Sequence, residues 1–258
     1  MSSRKIRIAA FVFAGVVVLG CTSWATAADV APVTCSNASI KGAYGFILTG
    51  SDASDKYEVT GGQIKASGTG TLTGTETVND YGVVDNNATL TGTYSLGSTC
   101  TGTATITPRG GTASNYDIVF DSVTKQIEML ETDSGVTRSG YAMQQGAATC
   151  TAAGVKGTYG FHGFGLDASL GGTPTAFDGQ YILDGAGSMS CTGTTSFGGT
   201  ISTLAISGTY TVGSNCQGAL DYQFNGSVNL NIVVVNSGKT FIGIDTASGI
   251  VASGVAQQ

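Results

Sequence analysis

The sequence predicts an all-β protein in which two antiparallel, up-and-down β-barrels of about eight strands each follow one another along the chain. Three observations support this fold: a long internal repeat, apolar residues that alternate with polar ones, and turn-forming residues at regular intervals. Eight strands close readily into a small barrel, and closure removes edge strands that would invite aggregation. Two β-sandwiches are the alternative architecture, because the strand count fits both.

The first element is an export signal, predicted over residues 1–27 and helical in its apolar part. Three cations precede an apolar run of 13 residues at 8–20, which is too short to span a bilayer. Ala25-Thr26-Ala27 predicts cleavage after Ala27. The alternative is a lipobox ending at Cys21, which would make this cysteine a lipidation site. We therefore expect an exported bacterial protein that is periplasmic, on the cell surface or extracellular, with lipid anchoring as the variant.

The charge of the mature chain excludes two classes of partner. The full chain has 11 Lys and Arg, 17 Asp and Glu, and a net charge of −6. Loss of the three signal cations leaves 8 against 17, a net charge of −9. Such a chain lacks the cations that bind nucleic acid or anionic membranes. No later segment is long and apolar enough for a transmembrane helix.

The remainder of the chain carries the same landmarks twice. Lys-Gly-x-Tyr-Gly-Phe at 41–46 returns at 156–161, and Gly-Thr-Tyr at 92–94 returns at 208–210. The offset is 115 for the first motif and 116 for the second. This near-constant offset indicates a gene duplication, and it predicts two domains, at 35–145 and 150–258.

Within each repeat the pattern is that of short strands. Leu90 and Tyr94 share one face of an alternating stretch, whereas Thr91 and Thr93 share the other. Gly-, Asn- and Asp-rich turns separate eight such runs in the first repeat. They predict strands at approximately 40–49, 57–66, 69–78, 86–96, 100–108, 114–121, 126–132 and 136–144.

Two stretches of the second repeat, 230–235 and 241–244, are apolar at successive positions instead of alternating. A strand buried on both faces needs cover outside the barrel as well as inside. We therefore expect the two repeats to pack against each other.

The cysteines of an exported chain are read as disulfides. Spacings of 65 and 66 residues predict one bridge in each repeat, Cys35–Cys100 and Cys150–Cys216. Cys191 has no counterpart and is predicted to be an unpaired thiol packed as a small hydrophobe. An intermolecular bridge, or a rival pairing with Cys150 or Cys216, is the alternative.

No catalytic, metal or cofactor site is predicted. His162 is the one histidine after the signal, and repeat 1 has Ile47 in its place. No Gly-x-Ser-x-Gly motif occurs. Carboxylates that could carry acid–base chemistry do not recur between the repeats; they are Glu128, Glu131, Asp221 and Asp245.

Aromatic residues that recur between the repeats lie on strand faces with aliphatic neighbours, and core packing is the first interpretation. If the barrels are hollow, the same residues and the single histidine would line an apolar pocket with polar tips. The candidate lining residues are Tyr44, Phe46, Tyr94, Tyr159, Phe161, His162 and Tyr210.

Three motifs carry a family resemblance: a Cys-x-x-Ala…Lys-Gly-x-Tyr-Gly-Phe opening, a Gly-Thr-Tyr-x-x-Gly-Ser-x-Cys-x-Gly centre and a Gly-x-Ala ending. They resemble exported bacterial tandem-repeat proteins of unassigned function, lipocalin-like or allene-oxide-cyclase-like barrels in outline. The resemblance implies fold and location; it brings no catalytic residue with it.

Three functional hypotheses follow. The leading one is a non-enzymatic structural or interaction protein of the cell envelope or extracellular space, which binds an unidentified protein partner and could form oligomers. The second is a lipocalin-like carrier of a small apolar ligand in the barrel lumen. The third is an isomerase- or cyclase-like enzyme, which requires His162 or a carboxylate to face a cavity.

Overall fold

A computed structural model describes residues 33–146, 150–224 and 226–258. It confirms the all-β class: the chain forms two closed, eight-stranded antiparallel barrels in tandem instead of sandwiches. The predicted signal peptide, with its helix, Cys21 and the cleavage site after Ala27, lies outside the described residues. Within the described ranges, no helix has the length and apolarity needed to cross a membrane.

Barrel 1 is an uninterrupted meander in which each strand pairs with the next, and the last pairs with the first. Its strands are β1 Gly42–Ser51, β2 Tyr57–Ala66, β3 Thr71–Asp80, β4 Val83–Leu96, β5 Thr101–Pro108, β6 Ser114–Asp121, β7 Gln126–Glu131 and β8 Thr137–Gln144.

Barrel 2 repeats this order, and its last strand closes against its first. Its strands are β9 Gly157–Asp167, β10 Thr173–Leu183, β11 Ser188–Phe197, β12 Thr200–Val212, β13 Gln217–Gln223, β14 Ser227–Val235, β15 Thr240–Asp245 and β16 Ile250–Gln257. Strand n of barrel 1 is therefore equivalent to strand n+8 of barrel 2.

One end of each barrel is closed by a short 3-10 helix, Asn37–Ile40 in barrel 1 and Ala152–Val155 in barrel 2. A disulfide lies beside each helix, Cys35–Cys100 in barrel 1 and Cys150–Cys216 in barrel 2. We call this the disulfide end, and the opposite one, which carries the β1–β2 and β9–β10 connections, the loop end.

The barrels lie side by side with like ends together. At the loop end, the Asn79 amide donates to the backbone carbonyls of Asp245 and Ile250, both at 2.7 Å. At the disulfide end, the Gln145 amide donates to the carbonyl of Val234 at 3.1 Å. The tandem therefore resembles one barrel displaced sideways onto its copy.

Between these contacts lies a dry cluster that we call the junction. Five of its buried aliphatic side chains come from β14–β16 and two from β1–β2, which explains the non-alternating runs of the second repeat. Its members are Ile47, Val59, Val233, Val235, Ile242, Ile244 and Val251.

Two glycines of barrel 1 allow the close approach at the junction. A Cβ on Gly45 would lie 2.6 Å from Val235 Cγ1, and one on Gly61 would lie 2.7 Å from Ile244 Cδ1. Gly160, the equivalent of Gly45, meets nothing closer than 3.9 Å. Barrel 1 thus uses β1–β3, whereas barrel 2 uses β14–β16, the equivalents of β6–β8; the interface is heterologous.

Candidate functional site

The lumen of barrel 2 is filled by aromatic rings. Phe161 stacks on Tyr181 at 4.1 Å between ring centroids, and Phe241 lies 5.0 Å from Tyr159 and 5.9 Å from Tyr181. A pocket against these rings has a volume of about 20 Å³. That is room for a single water molecule at most, since a water needs roughly 10–15 Å³.

The recurrent tyrosines place their hydroxyl groups at the disulfide end. Tyr94 donates to the Asn37 carbonyl at 2.9 Å, and Tyr210 donates to the Ala152 carbonyl at 3.1 Å. Tyr159 donates to the carbonyl of Gly238 at 2.7 Å. These three hydroxyls hold the 3-10 helices and neighbouring turns, so they are not free to contact a ligand. The fourth recurrent tyrosine, Tyr44, is buried, and its hydroxyl has no hydrogen-bond partner within the described ranges.

All six recurrent aromatics predicted as lining residues are therefore packed in the two lumens, each with 6% or less of its surface exposed. They are Tyr44, Phe46, Tyr94, Tyr159, Phe161 and Tyr210. His162 differs, because its side chain points out of barrel 2. The packing is evidence against an apolar ligand inside either barrel.

The lumen of barrel 1 contains an ionic cluster near the loop end. The Arg138 guanidinium forms a paired contact with Glu131, with Nη2 donating to Oε1 and Nε lying beside Oε2, both at 2.8 Å. Its Nη1 donates to Glu58. Glu58 lies on β2 and Arg138 on β8, and both pair with Gly50 of the intervening strand β1, so the contact passes over this glycine on the lumen side.

Acidic groups outnumber the one cation in this cluster. Glu76 is 4% exposed, and burial raises the pKa of its carboxyl to about 7 although Arg138 lowers it. Burial also raises the pKa of Glu58. A buried carboxyl without a full counter-charge keeps its proton. The cluster is therefore a buried, partly protonated network.

Barrel 2 has a buried carboxyl of its own. Asp245 occupies the position of Glu131, so the expectation that these carboxylates do not recur between the repeats is wrong for this pair. Ala252 stands where barrel 1 has Arg138. Burial raises the pKa of Asp245 to about 7. Cys191 is a buried free thiol, and burial raises its pKa to about 12, which keeps it protonated and unreactive at neutral pH.

Two grooves flank the junction on the outside of the barrels. The first, which we call the amide groove, has a volume of about 410 Å³ and lies between β2–β4 and β12–β15. Its polar side chains bond to one another: Gln217 donates to Thr75 Oγ1 at 2.6 Å, and Asn231 donates to Thr77 Oγ1 at 2.8 Å. These bonds tie barrel to barrel, so the amide groove is a polar seam.

The second groove, which we call the aromatic groove, has a volume of about 320 Å³. It runs between the β1–β8 seam of barrel 1 and the β9–β16 seam of barrel 2. Tyr57 meets Phe164 edge-on at 6.0 Å between centroids, and 47% of Phe164 is exposed. Tyr141 and His162 line the same groove, from opposite barrels.

Three polar side chains of the aromatic groove have no hydrogen-bond partner in the part of the chain that the structure describes. Among the described residues, none donates to or accepts from the side chains of His162, Ser139 or Ser253. His162 is also the one ionisable group in the lining apart from the tyrosine phenols. Free hydrogen-bonding groups beside exposed rings distinguish this groove from the amide groove and from both lumens.

The sequence pointed to only one of these groove residues, His162. Tyr57, Tyr141 and Phe164 do not recur between the repeats: their equivalents are Pro174, Val255 and Thr49. A search for shared aromatics therefore finds the core. Aromatics present in one repeat alone, at outward positions, are the signal that would have found the groove.

Catalytic and metal-binding arrangements were also sought in the described ranges. No group of three or more His, Cys, Asp or Glu side chains there could hold a metal ion. Asp52 and Asp167, which recur between the repeats, accept backbone hydrogen bonds from residues two to four positions ahead. Both therefore shape their connections, in agreement with a turn-forming role.

Comparison with known proteins leaves the family open. No protein-family model matches the chain, and no curated protein is similar to it at a significant level. The function must therefore be inferred from the site itself.

Proposed function

We propose that this is an exported, non-enzymatic interaction protein of the cell envelope or extracellular space that recognises its partner in the aromatic groove. The observation that carries the proposal is the difference in unpaired hydrogen-bonding side chains between the aromatic groove and the other cavities. In the lumens and the amide groove most polar side chains bond to one another, with the buried Tyr44 hydroxyl as an exception, whereas the aromatic groove leaves an imidazole and two hydroxyls beside the exposed ring of Phe164. Two disulfides are consistent with an oxidising, exported location.

Rigidity supports a binding role. The groove walls belong to closed barrels, each bridged by its own disulfide, and the junction packs them together. A site held on rigid elements loses little conformational freedom when a ligand binds. In addition, a closed barrel has no free strand edge, so side chains and not main-chain pairing must make the recognition.

The enzyme hypothesis receives less support from the geometry. His162 does line a cavity, as that hypothesis requires, but no described carboxylate or hydroxyl is hydrogen-bonded to its ring. A general base is normally oriented by a third group. We therefore assign His162 as a hydrogen-bonding residue toward a ligand.

Fractionation of the native host tests the proposal. We expect the wild-type protein to be retained in the envelope or extracellular-matrix fraction and Phe164→Thr to be released into the soluble fraction. Phe197→Thr is the matched control, since Phe197 is an exposed ring, 39% accessible, that does not line the groove. Equal retention of all three proteins would contradict the proposal, provided circular dichroism shows each to be folded.

Cys21 offers a separate source of retention. If the protein is lipidated there, the chain is held by its anchor whatever the groove binds. Cys21→Ser, combined with each groove variant, removes that contribution, and the comparison between Phe164→Thr and Phe197→Thr is then made in the unanchored background.

A further inference from the structure

We infer that the aromatic groove binds a neutral saccharide, of about one to three rings, and this inference rests on the binding role proposed above. The groove volume of about 320 Å³ lies at the lower end of the range for small-molecule sites, roughly 300–1,000 Å³. Its occupant is therefore a small molecule or the end of a longer chain.

The first step concerns charge. The lining has no Asp, Glu, Lys or Arg. The protein as a whole is acidic, with a sequence pI of about 4.5. An anionic ligand would meet this excess of negative charge without a cation in the groove to hold it. A cationic one would find no carboxylate in the lining. Charge thus favours a neutral ligand.

The second step concerns hydrogen bonds. His162, Ser139 and Ser253 have no hydrogen-bonding partner among the described side chains. They offer both donors and acceptors. A purely apolar ligand would leave these groups unpaired, and an unpaired group costs about 1–3 kcal/mol when buried. A ligand rich in hydroxyl groups satisfies them.

The third step concerns the rings. Tyr57, Tyr141 and Phe164 contribute aromatic surface to the lining next to these polar groups, and Phe164 is the most exposed of the three. Aromatic side chains combine a large contact area with few rotatable bonds. A sugar ring has the matching character, because its C–H face is apolar and its rim carries hydroxyls. The three steps together select a saccharide over an aliphatic chain or a charged metabolite.

The test uses the mature, oxidised chain, residues 28–258, and four neutral trisaccharides: maltotriose, cellotriose, mannotriose and triacetylchitotriose. Saturation-transfer NMR detects binding, and ¹H–¹⁵N spectra locate it. We expect at least one sugar to receive saturation on its ring protons and to shift amides of β1, β8, β9 and β16. Phe164→Thr should weaken binding at least about tenfold, which corresponds to about 1.4 kcal/mol.

Matched variants keep the result interpretable. Thr is the residue that barrel 1 carries at the position of Phe164, so the strand accepts it. Tyr141→Val places the residue of barrel 2 at the equivalent position and should also weaken binding. Phe197→Thr should leave the affinity unchanged. Weakening by Phe197→Thr to the same extent as by Phe164→Thr would overturn the inference.

Other occupants are distinguished in the same experiment. Binding of phenol without the sugars would make this an apolar site, and binding of trigalacturonate in preference to neutral sugars would overturn the charge argument. If no neutral trisaccharide receives saturation at concentrations up to about 10 mM, which is ten times a weak Kd of 1 mM, a neutral saccharide is refuted as the ligand. If Phe164→Thr still abolishes envelope retention, the proposed function stands with a different ligand; if it does not, both fail.

Discussion

The two barrels share one backbone plan but fill the loop-end half of the lumen in opposite ways. Barrel 1 places Glu58, Glu76 and Arg138 there, and barrel 2 has Thr175, Gly193 and Ala252 at the equivalent positions. Barrel 2 gains ring volume elsewhere in the lumen, near the middle at Phe177 and toward the disulfide end at Tyr181 and Phe241. These rings stand where barrel 1 has Thr60, Ile64 and Ile127, respectively.

The exchange is compensated locally. Phe177 covers Gly163, whose added Cβ would collide with the ring, whereas barrel 1 pairs Thr60 with Leu48 at the same register. Large and small residues have thus traded places across a strand pair. Such swaps conserve the packed volume, which is the condition that a core must meet. The comparison teaches that the backbone specifies a volume to be filled and leaves open the chemistry that fills it.

The largest expected effect tests whether the two barrels depend equally on their disulfides for stability. The disulfide loops span 65 and 66 residues, so the chain-entropy argument assigns each bridge about 4 kcal/mol. We expect Cys35→Ser/Cys100→Ser and Cys150→Ser/Cys216→Ser to lower the free energy of unfolding by similar amounts in guanidinium titrations. A loss confined to one pair would show that the barrels depend unequally on their bridges.

The next largest effect distinguishes the ionic lumen of barrel 1 from the aromatic lumen of barrel 2. Arg138→Met leaves Glu58 and Glu131 buried without their cation, and breaking a buried ion pair from one side costs about 3 kcal/mol or more. The matched control neutralises the whole cluster, Glu58→Gln/Glu131→Gln/Arg138→Met, and should recover most of that loss. Urea unfolding measures both. A cost below about 1 kcal/mol for Arg138→Met alone would mean that the carboxyls are already neutral.

A pH effect follows from one carboxyl in each barrel. The folded-state pKa values of Glu76 and Asp245, about 7, lie above their unfolded values of 4.5 and 3.8. Their stabilising contribution is complete below the unfolded pKa and is lost as the pH rises through about 7. We expect the free energy of unfolding to fall by on the order of 2 kcal/mol per group between about pH 5 and pH 8.

Single variants assign this pH effect to a barrel. In thermal melts at a series of pH values, Glu76→Gln should remove the pH dependence of stability that barrel 1 contributes. Asp245→Asn should remove the part that barrel 2 contributes. The exposed carboxylates whose pKa is lowered, Asp121, Asp133 and Asp184, titrate below this window. A stability that rises from pH 5 to pH 8 would contradict the assignment.

The smallest effect concerns equivalent glycines. Gly45→Ala pushes a methyl group against Val233 and Val235, and overpacking of this kind costs about 1–2 kcal/mol. Gly160→Ala has open space, so it should be neutral or slightly stabilising, because glycine weakens a strand interior. Equal effects in chemical denaturation would show that the junction adapts without strain.

Much of the fold was predictable because its signals are local. The predicted strands at 57–66 and 114–121 coincide with β2 and β6. An instructive difference is β4, which starts at Val83, whereas the sequence predicts a strand only from residue 86. The register shifts there, and Asn87 has a φ of 54°. Asparagine tolerates this conformation, so its presence signals a bulge as well as a reversal.

The ionic cluster and the aromatic groove depend on long-range closure, which the sequence pattern does not specify. Glu58 and Arg138 are 80 residues apart and meet because β8 returns to β1. Likewise, alternation marks Tyr57 and Phe164 as outward or inward but does not tell which faces of the two barrels will meet. Only the heterologous docking brings them together.

That docking has a consequence for assembly. In a heterologous interface the two barrels use different faces, so one face of each kind stays unoccupied in the pair. If the two barrels had identical surfaces, further barrels could add at these faces without limit. Here both leftover faces are altered. Glu128 stands where barrel 2 offers Ile242, and Asp178 stands where barrel 1 offers Gly61. Like the polar end units of a solenoid, these carboxylates would have to be desolvated before a further barrel could dock, which disfavours growth into a fibre.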